Sequence, residues 1–567
     1  MLRLLFSSKT SSPLPLLRRE SVGSSRSPAV VATTIVRSKS VVAALSGGVD
    51  SSVVAALLAD AQPPSPVSSY SSALSSDHRL KLLAAVHCTN WNATSHDDDS
   101  VPAQGCSSES DWKDAQAVAR HLNIPHIHRV NLEADYWTLV FEPYLREIER
   151  GYMGNPDMGC NRYIKFGALR EFCAKKFGAE TMIATGHYAR LWHRDSQSAA
   201  ASTTIGALGR FPVQNIPNFL EEELAQDPAQ YDWILRWGRH ENEEKDAFLP
   251  PILLSAADGS KDQSYFLADC SSQAFSNIMF PLGDFYKRTH DLSSSSFDSQ
   301  SFHHQHDHPQ QQQQNHQQHL QPTVRQLAYD FALPTAEKRE SMGICFVGKR
   351  PSGFRHFLQN YLHPPTRPLR FIDVETQSVL SETTEPSHAC LYTIGQGAKL
   401  SGSPQKYFVV SLNVTDNVVH VAAGTHHPAL YTDHCTLKRL HWMAGSPPEP
   451  LKQGIAAATV AQSSTSGNAT SHSSMRLQCR IRHLQPLVNC TLVVERDNHG
   501  GKETATIRFD RPMRGVTPGQ YAVFYTCNGL VCLGGGPIEE TGASYWHRGE
   551  RLNHATAGDH HEKQIVA

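Results

Sequence analysis

Two cysteines and one glycine-rich loop carry the reactive potential of this sequence. The loop is Ser46-Gly47-Gly48-Val49-Asp50-Ser51-Ser52, fed by the apolar run Val41–Leu45 and followed by the apolar run Val53–Leu58. That order predicts strand, phosphate loop, helix. Two adjacent glycines let the backbone approach a polyanion with no side chain in the way, and the N–H groups of a new helix point at such a ligand. No Gly-Lys-Ser/Thr follows, so it is not a Walker loop. The first cysteine, Cys160, follows the turn Asn155-Pro156-Asp157 and precedes Arg162 and Lys165. A thiol just before a helix and beside cations has its pKa depressed and becomes a nucleophile. An inert half-buried cysteine is the competing reading. The second, Cys345, sits in Gly343-Ile344-Cys345-Phe346. Read alone it is a buried structural residue. Together the two suggest a mechanism in which one thiol carries sulfur and the other attacks or resolves, with a transient disulfide. No CxxC pair marks a resident metal.

The elements that must position these groups alternate. Strands are expected at Leu82–His87, Ile124–Val130 and Thr181–Thr185, and helices at Ser110–Leu122, Asp135–Arg150 and Tyr163–Phe177. Alternation argues for an α/β fold with a doubly wound parallel sheet, whose ligands lie at the carboxyl ends of the strands. Ser46 and Gly186 both fall at such ends. After about 385 the texture changes to short β runs with turns, read as β-barrel. The expected organisation is a transit peptide over 1–40, a catalytic domain over 41–350, a small β-rich domain over 351–430, a barrel over 431–545 and a polar tail over 546–567. Insertions are expected near 61–79, 193–248 and 290–322, the last rich in histidine and glutamine and read as a solvated linker. Residues 1–40 hold seven basic residues and one acid, an organelle-targeting composition; mitochondrion is favoured over plastid. The net charge of −2 over 567 residues excludes a global basic field. No apolar run reaches the roughly 18 residues of a membrane span. The 12 cysteines are scattered, which suits a reduced compartment. The triplet Lys261-Asp262-Gln263, read bare, is a solvated loop.

SGGVDS resembles the loop of the PP-loop pyrophosphatases. With Asn155-Pro156-Asp157…Cys160, Ala184-Thr185-Gly186-His187-Tyr188, Lys261-Asp262-Gln263-Ser264-Tyr265, Gly343-Ile344-Cys345-Phe346 and Val516-Thr517-Pro518-Gly519-Gln520 in the same order, the chain resembles the tRNA-specific 2-thiouridylases, the organellar members above all. The resemblance implies ATP-dependent replacement of the C2 oxygen of the wobble uridine by sulfur in lysine, glutamate and glutamine tRNAs. It implies that Ala44, Leu45, Ser46, Gly47, Gly48, Val49, Asp50 and Ser51, with Cys88 and Gly186, hold ATP, with Mg2+. Asn155, Pro156 and Asp157 would receive the target base, Asp157 acting as acid or base. Cys160 would be the nucleophile and Cys345 the persulfide carrier, joined in a transient Cys160–Cys345 disulfide. His187, Lys261, Asp262, Gln263, Arg482, His483 and Gln520 would contact tRNA. An upstream persulfide donor such as a cysteine desulfurase relay is implied as partner. Gly159 departs from the family's usual aliphatic residue and should loosen the turn carrying Cys160. Two other readings compete: a PP-loop enzyme adenylating a small molecule, which would have no need of two cysteines, and a non-catalytic RNA-binding relative.

Overall fold

The computed structural model describes residues 40–59, 80–91, 107–193, 233–239, 249–287, 322–339, 353–383, 386–403, 405–453, 471–496 and 503–552. Residues 1–39 of the segment expected to be a transit peptide, Cys345 and the histidine- and glutamine-rich tract lie outside them.

Strands β1 (Ser40–Ala44), β2 (Lys81–Thr89), β3 (Ile127–Asn131) and β4 (Met182–Ala184) form a parallel sheet with the short β7 (Ile278–Met279), in the order β3-β2-β1-β4-β7. The order reverses at β1, which pairs with β2 on one side and β4 on the other. A ligand crevice opens at this kind of reversal, beyond the carboxyl ends of the two strands. Alternate residues of β1 serve two cores, as a pleated strand requires. Val41 and Ala43 pack with helix α1 (Val49–Leu58) and helix α2 (Ser107–His121). Val42 faces the layer of helices α3 (Glu133–Tyr136), α4 (Glu142–Glu149), α5 (Pro156–Gly159) and α6 (Leu169–Phe177).

Two helices differ from the sequence expectation in the same way. The helix expected over Asp135–Arg150 contains a π-helical stretch at Trp137–Phe141, and that expected over Tyr163–Phe177 begins earlier, at Pro156, and is π-helical over Cys160–Ala168. Asn155 starts it as N-cap, its Oδ1 accepting from the Asp157 N–H at 3.1 Å, and Pro156 suits the first helical position.

A four-stranded sheet, β10 (Tyr407–Asn413), β11 (Val418–Ala423), β8 (Leu369–Asp373) and β9 (Val379–Thr383) in that order, has its own small core around Phe371, Val409 and Val421. The helix Gly353–Gln359 belongs instead to the catalytic side, where Phe357 meets Trp91 and Phe141. Strands β12 (Tyr431–Leu437), β16 (Glu503–Arg514), β15 (Val488–Arg496), β14 (Ser471–Arg480), β17 (Tyr521–Thr526) and β18 (Val531–Thr541) close into a six-stranded barrel through the β12–β18 pairing. β18 also pairs with β6 (Ile252–Leu254), which pairs with β5 (Arg190–Trp192), so catalytic-domain strands prolong the barrel sheet. Within the stretch read as an insertion at 193–248, Trp233, Ile234 and Trp237 are buried, and the Trp237 indole donates to the Ser446 carbonyl at 2.9 Å. That part is docked structure.

Candidate functional site

The phosphate loop is held open by its own side chains. Ser51 Oγ accepts from the Ser46 N–H at 3.1 Å and donates to the Gly48 carbonyl at 3.1 Å, while Ser52 Oγ donates to the same carbonyl at 2.7 Å. Ser46 is exposed and its Oγ lies 3.0 Å from Ser51 Oγ. Gly47 has φ +82°, and a Cβ there would stand 2.2 Å from the Asp111 carbonyl oxygen, so only glycine fits. Gly186, just past β4, closes the other side: a Cβ on it would lie 3.0 Å from the Ser51 nitrogen and 3.3 Å from Asp50 Cβ. The two strand ends therefore meet at one crevice. Ala44, Leu45 and Val49 are largely withdrawn into the core and shape the loop from beneath, and Cys88 is half-buried at the end of β2.

Two lysines that reach this loop, Lys287 and Lys338, are not legible in the sequence because each comes from a distant segment. Lys287, almost wholly buried, ion-pairs with Asp50 Oδ1, which also accepts from the Tyr188 hydroxyl at 2.9 Å. The Lys287 backbone N–H is held by Asp258 Oδ2 at 3.0 Å. Lys338 reaches the Gly47 carbonyl. The signal available was Asp50, a carboxylate in the first turn of a helix that is otherwise uncharged.

The second half of the site is the Asn155–Cys160 turn. Asp157 is half-buried beside Tyr144 and Lys165; burial pushes its carboxyl up to about 6, with Lys165 opposing. Cys160 does not precede the helix as expected; it lies within it, one turn in, and is 2% exposed. The expected loosening at Gly159 is absent. Gly159 is helical (φ −60°, ψ −43°) and the Val140 side chain covers it, 3.5 Å from where a Cβ would be.

Asn161, next to Cys160, lies 3.2 Å from His187 Nε2, and Thr185 Oγ1 lies 2.7 Å from His187 Nδ1. Burial, with Lys165 nearby, pushes the imidazole pKa far down and keeps the ring neutral. His187 is buried at 8% exposure, placed to link the two halves of the site. The chain of contacts runs from Ser51 to Gly186, then through His187 to Asn161 and Cys160.

The Lys261-Asp262-Gln263 triplet is not a solvated loop. Asp262 is 1% exposed and accepts from Ala256 N–H (3.1 Å), Ser264 N–H (3.1 Å), Ser264 Oγ (2.9 Å) and Arg480 Nη1 (2.8 Å). Gln263 is stitched to Tyr188 by two bonds, its Oε1 accepting at 2.9 Å and its N–H donating at 2.8 Å. Lys261 is half-buried at the edge. From the barrel, His483 Nε2 approaches the Asp262 carbonyl at 2.9 Å and its ring lies 4.2 Å from that of Phe266. Arg482 donates to the Ile394 carbonyl at 3.1 Å and to the Gly515 carbonyl, tying the barrel to the four-stranded sheet's domain. Gln520 is half-buried and follows Gly519, where a Cβ would strike Met153. The Met153 N–H donates to the Pro518 carbonyl at 2.8 Å, so this barrel turn props the Asn155-Pro156-Asp157 turn. A second tie is Asp269, 4% exposed, which accepts from Arg162 Nη1 (3.0 Å), Arg439 Nη2 (2.7 Å) and the Tyr521 hydroxyl (3.2 Å).

The tRNA methyl transferase HUP domain profile matches residues 39–206 and 238–305, and the aminomethyltransferase beta-barrel domain profile matches 432–538. Mitochondrial tRNA-specific 2-thiouridylase 1 of Mus musculus is 32% identical over 511 residues, covering 89% of this chain and 92% of that protein. The chain belongs to the tRNA-specific 2-thiouridylase family. The Homo sapiens mitochondrial tRNA-specific 2-thiouridylase 1 is 31% identical over 517 residues, covering 90% of this chain and 93% of its own. The bacterial tRNA-specific 2-thiouridylase of Pectobacterium carotovorum is 30% identical over 508 residues, covering 88% and 97%. Members of this PP-loop family use ATP, and the crevice fits a nucleotide: a loop with two adjacent glycines, a helix start and a buried lysine converge there. Among the described residues no cluster of three or more His, Cys, Asp or Glu could hold a metal, and no helix is long and apolar enough to cross a membrane.

Proposed function

We propose that this chain is an ATP-dependent tRNA sulfurtransferase that forms 2-thiouridine at the wobble position of lysine, glutamate and glutamine tRNAs. The observation carrying the reading is the contact path from the phosphate loop through Gly186 and His187 to Asn161, beside Cys160. It joins a nucleotide crevice to a thiol, which a small-molecule adenylating enzyme does not need.

ATP supplies an adenylyl group that turns the C2 oxygen of uracil into a leaving group. The loop Ser46–Ser51 orients the phosphates by its N–H groups, and Lys287 neutralises charge beside them. Asp50 is the loop carboxylate that would hold an accompanying Mg2+, which would supply charge neutralisation; such a hard cation is commonly held by one or two protein carboxylates. The base leaves an anticodon loop, where unstacking costs little, and enters against Asn155, Pro156 and Asp157. With its carboxyl near 6, Asp157 exchanges a proton close to neutrality. Cys345 carries the persulfide, whose outer sulfur attacks C2 as AMP departs. Cys160 then attacks the inner sulfur, releasing the thiolated base and leaving a Cys160–Cys345 disulfide that an external thiol reduces.

Lys261, Arg482, His483 and Gln520 line the catalytic–barrel junction and serve tRNA binding, while Asp262, Gln263 and His187 position that junction from within. A persulfide donor of the cysteine desulfurase type loads Cys345. The mitochondrion is the proposed compartment, supported by the basic, acid-poor 1–40 segment and by the mitochondrial names of the animal relatives. Plastid import of a reporter fused to that segment would overturn it.

The test is nucleoside analysis of unmodified tRNA incubated with the purified chain, ATP, Mg2+ and a persulfide source. Wobble 2-thiouridine that requires ATP, Cys160 and Cys345 is the expected result. AMP release without thiouridine would move the substrate elsewhere, and no AMP at all would mean a binding-only relative.

A further inference from the structure

Lys338 lies outside every motif above, yet its side chain ends on the phosphate loop. Its ammonium donates to the Gly47 carbonyl at 2.9 Å, to Asp111 Oδ1 at 2.7 Å and to Asp114 Oδ2. Its backbone is held as firmly. The Lys338 N–H donates to the Thr335 carbonyl at 3.0 Å, and Arg325 Nη1 donates to the carbonyls of Ala336 (2.6 Å) and Lys338 (2.9 Å). Arg325 belongs to the helix Val324–Asp330, which packs on α1. The lysine is thus anchored at both ends. Burial works against its charge, but Asp111 and Asp114 outweigh it and raise its pKa, so it stays an ammonium.

The consequence lies in the geometry of one peptide. No peptide bond among the described residues is cis, and in a trans peptide the C=O and N–H point in opposite directions. With the Gly47 carbonyl turned to Lys338, the Gly48 N–H points the other way and donates to Ser46 Oγ at 3.4 Å, a long bond that a phosphate oxygen would replace. That is the exposed side of the loop. Gly47 has no Cβ, so by itself this peptide could flip at little cost, and a flip would aim a carbonyl oxygen at the nucleotide phosphates.

We propose that Lys338 is a positioning residue for ATP: by holding the Gly47 carbonyl it aims the Gly48 N–H at the phosphates, while Asp111 and Asp114 hold Lys338 away from them. This rests on the reading of the loop as the ATP site. A lysine that reached a phosphate directly would behave oppositely in one respect: freeing it from its carboxylates would strengthen ATP binding, whereas here it must weaken it.

The experiment is isothermal titration of the full chain with α,β-methylene-ATP and, separately, adenosine. The variants are Lys338→Met, Lys338→Arg and Asp114→Asn. Expected for Lys338→Met is nucleotide affinity about 10- to 100-fold weaker, the range for losing one charge-assisted hydrogen bond, with adenosine affinity unchanged. Lys338→Arg recovers most of the loss, and Asp114→Asn weakens nucleotide binding in the same direction by less. Wild-type affinity in Lys338→Met overturns the proposal, and tighter binding in Asp114→Asn overturns it in favour of a direct ligand. Should Lys338→Met fail to fold, the other two variants decide. A wild-type chain that binds no nucleotide sinks the ATP reading itself, a separate outcome.

Discussion

Replacing Asp262 with asparagine distinguishes a structural carboxylate from an RNA contact. Asp262 takes four donors and is the counter-charge given to Arg480 among the described residues, and the Arg480 side chain is 14% exposed and packs over Tyr525. Asparagine leaves that guanidinium buried without its counter-charge and turns an amide N–H2 toward one of the donors. Breaking a buried pair in this way costs about 3–5 kcal/mol, a large part of a typical domain's stability. The cost falls at the seam between the Ser264–Leu267 turn and the barrel. A chain of this size does not unfold in one step, so the measurement is a comparison of denaturation midpoints among Asp262→Asn, Arg480→Met and the double variant. Arg480→Met removes the stranded charge, and the double variant should recover about 1–3 kcal/mol relative to the sum of the singles. A wild-type midpoint for Asp262→Asn combined with weakened tRNA binding would refute the reasoning and return the carboxylate to the RNA interface.

Other outcomes follow from the same geometry. Cys160→Ser should abolish thiolation while leaving ATP and tRNA affinity intact; unchanged thiolation removes Cys160 from the reaction. Gly47→Ala, with φ +82° and a Cβ 2.2 Å from a carbonyl oxygen, should destroy nucleotide binding. Gly48→Ala, whose Cβ meets only Ser46 Oγ at 3.5 Å, should fold with near wild-type stability, and equal thermal midpoints for the two alanine variants would contradict this. Asp157 has a folded pKa near 6 against 3.8 for the model compound. Its ionisation therefore costs the native state nothing below about pH 4, progressively more up to pH 6, and the full amount above. Asp157→Asn should gain stability over wild type across that window and lose the inflection near pH 6 in the thiolation rate. A stability gap independent of pH would argue against a buried acid.

The α/β layer was legible because its strands are short apolar runs ended by loop signals. β1, β2 and β4 lie within a few residues of their expected bounds, and the strand–loop–helix reading of Val41–Leu58 matches the structure. The barrel strands were legible as texture, but their closure and their extension by β6 and β5 depend on pairings that no local pattern encodes. The start of the Cys160 helix is not legible because Asn155-Pro156-Asp157 has the composition of a loop turn, whereas these three residues form an N-cap and first helical turn. Lys261-Asp262-Gln263 is polar without being solvated, and nothing local shows it: Arg480, 218 residues away, makes burial of Asp262 tolerable. Lys287 and Lys338 were invisible for the same reason, each meeting the loop across more than two hundred residues.

The prop between Pro518 and Met153 has a bearing on how the molecule comes into being. The turn that would receive the base leans on a loop between β16 and β17, and the barrel closes only when β18 pairs with β12. Local segments such as α1 and α2 can form as they emerge, but the Met153–Pro518 contact joins residues separated by most of the chain, and contacts of such sequence separation form late and slowly. The reactive pocket is therefore completed last, by residues that take no part in its chemistry. A chain ending before residue 531 would contain Cys160, Asp157 and the entire phosphate loop and still be expected to behave as a null allele.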